Sequence, residues 1–143
     1  MKVRDAMTTE VQLCTPDDTL RDAAEAMAAL NCGLLPVTDS ERLVGMISDR
    51  DIAIRGVAMG RGPDARIADV MTAEVMYCFD DQDIEEVIAN MGDIQVRRLP
   101  VVNRKKQLVG IIALGDIARA HAGDGTAAAL SQISRPGGQH AQA

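Results

Sequence analysis

Read along the chain, the hydrophobic positions change period in a fixed order, and that order occurs twice. Each copy begins with a short apolar run that reads as a strand, Val11 to Cys14 and again Val75 to Cys78. A helical stripe follows: Leu20, Ala23, Ala24, Met27 and Leu30 in copy one, Ile84, Val87, Ile88, Met91 and Ile94 in copy two, both at i, i+3, i+4, i+7 and i+10. Asp18 or Thr19 is placed to cap the first helix and Asp83 the second, while Asn31 and Gly33 supply a stop signal in copy one. Two short strands at hairpin spacing come next, Leu34 to Thr38 and Leu43 to Ile47 around Asp39-Ser40-Glu41. Copy two repeats them as Leu99 to Val102 and Leu108 to Ile112 around Asn103-Arg104-Lys105-Lys106-Gln107. A second helix closes each copy, Asp49 to about Met59 and Leu114 to about Ala122. The expected fold class is therefore mixed α/β, of the α+β kind, built from two pseudo-symmetric β-α-β-β-α repeats.

Residue identities confirm the duplication. At an offset of 64, Asp5, Met7, Thr8, Glu10, Val11, Cys14 and Asp17 fall on Asp69, Met71, Thr72, Glu74, Val75, Cys78 and Asp81, and Leu35-Pro36-Val37 falls on Leu99-Pro100-Val101. One inserted residue later the offset is 65, and Leu43-Val44-Gly45, Ile47 and Asp51-Ile52-Ala53 fall on Leu108-Val109-Gly110, Ile112 and Asp116-Ile117-Ala118. The expected organisation is a first repeat over 1–60, a linker over 61–66, a second repeat over 67–122, and a short helix followed by a disordered tail over 123–143. Each repeat is near the lower size limit for burying a core alone, so the two are expected to pack as one intramolecular pair.

Composition narrows the function classes. The 143 residues carry a net charge of −6 and 47% hydrophobic residues, the profile of a soluble domain rather than of a nucleic-acid or anionic-membrane binder. Tyr77 and Phe79 are the sole aromatic residues, too few for a stacking platform on nucleobases. No apolar run is long enough to span a bilayer and no signal-peptide core follows Met1, which points to the cytoplasm. Cys14, Cys32 and Cys78 form no C-x-x-C, and with only His121 and His140 beside them no metal site is expected. The equal placement of Cys14 and Cys78 admits a redox switch, which duplicated ancestry explains equally well. Nothing combines a nucleophile, a base and an orienting group, so no catalytic residues are assigned.

The candidate chemistry lies in Gly45-Met46-Ile47-Ser48-Asp49-Arg50-Asp51. Gly45 admits close approach to the backbone, and Ser48 ends a strand and begins a helix, where free amides and the helix dipole favour an anion. Asp51, one turn on, suits the hydroxyls of a ribose. A variant capping box explains Ser48-x-x-Asp51 as well. In copy two Gly110 and Asp116 remain, but Ala113 replaces the hydroxyl residue and Gly115 stands where Arg50 stands, so that cleft is expected to be weaker or empty. Arg97 and Arg98 take the places of Gly33 and Leu34; guanidinium forks suit phosphate, and pairing with carboxylates or solvent is the other reading.

The duplicated unit, its Leu-Pro-Val and the Gly45-x-x-Ser48-x-x-Asp51 junction resemble a pair of CBS domains over about residues 3 to 122, and Ser48 to Gly56 is similar to small stand-alone bacterial CBS-pair proteins. The resemblance implies a non-catalytic regulatory module with clefts between the copies, binding adenosine-containing ligands and pairing into a homodimer. AMP, ADP or ATP come ahead of NAD or S-adenosylmethionine, and no cofactor is required. The implied contacts are Ser48, Arg50 and Asp51 with Asp116 at its own junction, Arg97 and Arg98 on phosphates, and Leu13, Leu35 and Pro36 against adenine. Tyr77 occupies the place of Leu13 in copy two, to stack on a base or fill an empty cleft. An effector protein of unknown identity would read the occupancy. The alternative is a ligand-free stress-response or redox-sensitive scaffold, its clefts filled by side chains.

Overall fold

The computed structural model describes residues 1–94 and 96–120. The expected end of the last helix near Ala122, His121, His140 and the segment 123–143 lie outside the described residues. The chain forms two compact units: Gln12–Val75, and Met1–Val11 together with the chain from Met76 onward.

In the unit Gln12–Val75, helix α1 (Leu20–Leu30) starts at Thr19. Thr19 Oγ1 accepts from the Asp22 N–H at 3.1 Å and Asp22 Oδ2 accepts from the Thr19 N–H at 3.0 Å, a reciprocal capping box. Those hydrogen bonds hold the Asp22 carboxyl below its usual range. Asp18 instead accepts from the Thr15 N–H, so Thr19 is the cap. The helix stops at Asn31, which takes the left-handed conformation (φ 52°) and donates to the Met27 carbonyl. Leu20, Ala23 and Met27 are buried, whereas Ala24 and Leu30 are exposed, so the apolar stripe in contact is narrower than its sequence spacing.

Strands β1 (Leu34–Asp39) and β2 (Arg42–Ser48) pair antiparallel through a two-residue turn in which Ser40 and Glu41 both have positive φ, 50° and 71°. That is the turn geometry whose twist matches a tight hairpin. The strand expected over Val11 to Cys14 shrinks to one parallel bridge, Cys14 to Val37, with Cys14 N–H donating to the Pro36 carbonyl and Thr38 N–H to the Cys14 carbonyl. The next ladder bond upstream would need an N–H from Pro36, which has none. Beyond β2 the chain is helical from Asp49: a π-helix over Asp51–Gly56, then a 3-10 turn over Val57–Met59 that ends at Gly60.

The unit from Met76 onward repeats this plan. Strand β3 (Cys78–Phe79) begins only at Cys78, because Pro100 stands where Pro36 does. Helix α2 (Ile84–Ile94) buries Ile84, Val87, Ile88 and Met91, and strands β4 (Arg98–Val102) and β5 (Leu108–Ala113) form a hairpin leading into α3 (Leu114–Ala120). Asp83 precedes α2, and its carboxylate pairs with the Lys2 ammonium at 2.9 Å.

Each unit is completed by the opening segment of the other sequence repeat. In Gln12–Val75, a 3-10 turn over Ile67–Asp69 places Ile67 and Val70 at full burial among Cys14, Leu20, Met27, Val37 and Ile47. Thr72 then pairs with the outer edge of β2, exchanging two hydrogen bonds of 2.9 Å with Met46. In the other unit Val3 is fully buried with Ile84, Val87, Met91 and Ile112, and Thr8 exchanges bonds of 2.8 and 3.0 Å with Ile111 on β5. Both added segments cover a strand edge that would otherwise be open. They explain the paired glycines, since a Cβ on Gly45 would lie 2.9 Å from the Thr72 carbonyl oxygen and one on Gly110 2.7 Å from that of Thr8. What approaches the Gly45 backbone is this chain's own strap. No helix among the described residues is long and apolar enough to cross a membrane.

Candidate functional site at the strand-to-helix junctions

At the end of β2 the chain makes a reciprocal pair of short-range bonds. The Ser48 N–H donates to Asp51 Oδ2 at 3.0 Å, and the Asp51 N–H donates to Ser48 Oγ at 3.0 Å. The capping box expected from Ser48-x-x-Asp51 is therefore formed, but it uses only part of what the two side chains offer. Ser48 Oγ accepts here, and its own O–H has no acceptor among the described residues. Asp51 Oδ1 accepts no hydrogen bond from a described residue and faces Arg55 Nη1 at 3.9 Å, with the carboxylate largely buried at 16% exposure. Arg50 is exposed and forms no ion pair with another described residue.

The start of β1 adjoins this junction. Leu34 lies opposite Ser48 in the hairpin, and the Asp49 N–H donates to the Gly33 carbonyl at 2.9 Å. A Cβ at Gly33 would stand 2.8 Å from an Asp49 carboxylate oxygen, so the glycine makes room for that acid. Leu35 and Pro36 are buried on β1, and Leu35 is a member of the unit's core, while Leu13 is 48% exposed. Ser48, Arg50 and Asp51 are thus brought together; the Leu35 side chain is committed to packing. The sequence reading assigns Arg55 no role and Gly33 only that of a helix stop. The spacing of Asp51 and Arg55, one helical turn, was the available signal for the first.

The equivalent junction in the other unit keeps half the pattern. The Ala113 N–H donates to Asp116 Oδ2 at 3.3 Å, and no hydroxyl answers it. Where Asp49 N–H meets Gly33, the Leu114 N–H donates to the Arg97 carbonyl at 3.0 Å. Arg97 and Arg98 are exposed and neither pairs with a described carboxylate. Tyr77, 41% exposed, rests edge-on against Phe79 with ring centroids 5.7 Å apart. Arg104 lies over the other aromatic ring at 4.1 Å while binding Asp81 through two hydrogen bonds of 2.8 and 2.7 Å, which hold the Asp81 carboxyl below its usual range.

Cys14 and Cys78 are buried, and Cys32 is half-buried. Burial pushes the Cys14 thiol up to about 11, with Asp18 adding to the effect, and the Cys78 thiol up to about 12. A reactive cysteine needs thiolate at neutral pH, and neither supplies it. Among the described residues no three His, Cys, Asp or Glu side chains cluster so as to hold a metal ion.

A duplicated α+β repeat whose first strand-to-helix junction carries Gly45-x-x-Ser48-x-x-Asp51 defines the class of tandem regulatory modules to which the comparisons lead. The family model for the CBS domain matches residues 3–56 and again 67–123, and the chain belongs to the CBS-domain family as a tandem pair. It is 38% identical over 133 residues to the CBS domain-containing protein YhcV of Bacillus subtilis, covering 92% of this chain and 94% of that one. It is 39% identical over 118 residues to hypoxic response protein 1 of Mycobacterium tuberculosis, covering 81% of this chain and 82% of that one. Among solved structures, hypoxic response protein I with two coordinated zinc ions matches at a TM-score of 0.75 and 37% identity, over 83% of this chain and 98% of that one. CBSX2 in complex with AMP matches at 0.74 and 26%, over 94% and 98%. The CBS domain pair of protein MJ0100, in complex with 5′-methylthioadenosine and S-adenosyl-L-methionine, matches at 0.72 and 26%, over 84% and 94%.

Proposed function

We propose that this CBS pair is a non-catalytic regulatory module that binds an adenosine nucleotide, AMP, ADP or ATP, at the Ser48–Asp51 junction. The observation that carries the reading is the incomplete use of that junction: the Ser48 O–H and Asp51 Oδ1 hold no hydrogen bond to a described residue, beside an exposed and unpaired Arg50. An oriented hydroxyl donor and a carboxylate oxygen suit a phosphate and a ribose respectively. The AMP bound to CBSX2 and the adenosine compounds bound to MJ0100 support the same ligand class. Arg97 and Arg98, which pair with no described carboxylate, are proposed to take phosphate, and Asp116 marks a weaker second junction. The module works as a cytoplasmic homodimer whose occupancy an effector protein reads. Ile54, Val57 and Met59, exposed along one helical segment, support self-association.

The test separates ligand binding from capping. Thermal unfolding is followed with AMP, ADP, ATP, NAD and S-adenosylmethionine in turn, for the wild type, Ser48→Asp and Arg97→Ala with Arg98→Ala. Aspartate is as good a cap as serine but repels phosphate and donates nothing. The expected result is a stabilisation of about 2.7 kcal/mol at a hundredfold excess over Kd for one of the first three ligands. That gain is lost in Ser48→Asp, whose ligand-free midpoint stays near wild type, and reduced in the arginine variant. If no nucleotide moves the wild-type midpoint, the reading fails. The completed capping box then favours the second reading, an interaction scaffold in which Ser48 and Asp51 only hold a helix end.

A further inference from the structure

Arg55 reaches both the candidate site and the strap that completes its unit. Its Nη1 lies 3.9 Å from Asp51 Oδ1 and donates to the Met71 carbonyl at 3.3 Å. Met71 lies in the strap just before Thr72. Upstream, Ile67 and Val70 anchor the strap in the core; downstream, Thr72 is paired to Met46 on β2. A Cβ on Gly45, three residues before Ser48, would lie 2.9 Å from both the Met71 Sδ and the Thr72 carbonyl oxygen. The π-helix that carries both Asp51 and Arg55 has no counterpart among the described residues of copy two, where α3 is an ordinary α-helix.

We infer that Arg55 is a positioning residue that couples the charge state and occupancy of the Asp51 carboxylate to the ordering of the strap Ile67–Thr72. The guanidinium donates to a backbone carbonyl while its charge lies 3.9 Å from a carboxylate oxygen. A change at Asp51, such as a ribose hydroxyl donating to Oδ1, therefore alters the field that holds Arg55 against Met71. The strap then carries the change toward Val75, where this unit ends and the other begins. The inference deepens the nucleotide-binding reading in naming how occupancy is passed on, yet its core claim, the coupling of Asp51 to the strap, is testable without any ligand.

The experiment is a double-mutant cycle read by amide hydrogen exchange at Thr72, whose N–H donates to the Met46 carbonyl. In the ligand-free protein, Asp51→Asn keeps a capping acceptor and removes the charge. It is expected to speed Thr72 exchange about threefold in the wild-type background and to have no further effect in Arg55→Ala. Arg55→Lys keeps a charge near Asp51 without the planar fork, so it is expected to leave exchange fast. Additive effects of Asp51→Asn and Arg55→Ala, or wild-type exchange in Arg55→Ala, overturn the coupling. Adding AMP forms the second arm: faster Thr72 exchange in the wild type, in the same sense as Asp51→Asn, and no response in Arg55→Ala is the expected result. A coupled cycle with no response to any nucleotide refutes the nucleotide reading and leaves the Arg55 inference standing; nucleotide binding with an additive cycle does the reverse.

Discussion

The two junctions of this chain began as copies and now hold their helices differently. At Ser48 the cap is reciprocal, and Asp51 has a guanidinium beside it; at Ala113 the backbone N–H donates to Asp116 at 3.3 Å and there is no hydroxyl to return the bond. Gly33 in one copy yields space to the Asp49 carboxylate, whereas Arg97 in the other stands before Leu114, which has no charge to accommodate. The difference teaches that helix initiation tolerates loss of half a capping box, while the polar groups beyond the cap are kept in one copy only. Gly45 with Asp51 and Gly110 with Asp116 are common to both junctions; what Ser48, Asp49, Arg50 and Arg55 add is peculiar to copy one.

The strongest way to break the comparison is at what the copies still share. Gly45→Ala and Gly110→Ala each force a Cβ against a strap carbonyl, at 2.9 and 2.7 Å respectively, and each is expected to cost about 3 kcal/mol in urea unfolding. Equal losses show that the two straps bear equally on their units; a loss at Gly110 alone means that the strap at Thr72 yields.

Much of this was open to inspection in the residue pattern because it is local. The stripe Ile84, Val87, Ile88, Met91 is buried as spaced, Asn31 ends its helix, and Ser40 and Glu41 make the turn. The reciprocal cap at Ser48 follows from two hydroxyl and carboxylate positions three residues apart. The short first strands were harder to foresee, since the obstacle is an absent N–H on Pro36 or Pro100 of a partner strand more than twenty residues away. The strap exchange, Gly45 against Thr72 and Arg55 against Met71 are contacts between distant segments that no period encodes. Leu35 was read as a wall for adenine and sits in the core, because apolar strand residues look alike whichever face they take.

A smaller effect compares the buried thiols. The folded Cys78 keeps its proton up to about 12 while an unfolded chain gives it up from 9.0, so the folded state binds more protons between those values. Its contribution is complete below pH 9 and is lost as pH rises toward 12; Cys14, raised to about 11, acts in the same sense over a narrower window. Stability is expected to fall by about 1 kcal/mol for Cys78 between pH 9 and 10, and Cys78→Ala to flatten that slope. A slope unchanged in Cys78→Ala assigns the loss to other groups.

The finest adjustment restores the lost hydroxyl. Ala113→Ser is expected to add roughly 0.5 to 1 kcal/mol by completing the cap with Asp116, read as a rise in the unfolding midpoint. If the variant also gains a second nucleotide equivalent, the hydroxyl alone separates the two junctions. If it gains stability without ligand, Arg50 and the acids around it are what copy one has kept.

The straps also bear on how such a chain arose. The repeat written in the sequence opens at the strap, with Val3 or Ile67, yet the portion Gln12–Val75 that carries one complete core starts after one strap and ends after the next. Hereditary unit and folding unit are out of phase by one segment. A single ancestral repeat would have carried a strap that fits not its own body but a twin's, and two such chains could have completed each other only by trading arms. In the tandem chain one polypeptide supplies both straps, each to the body of the other repeat.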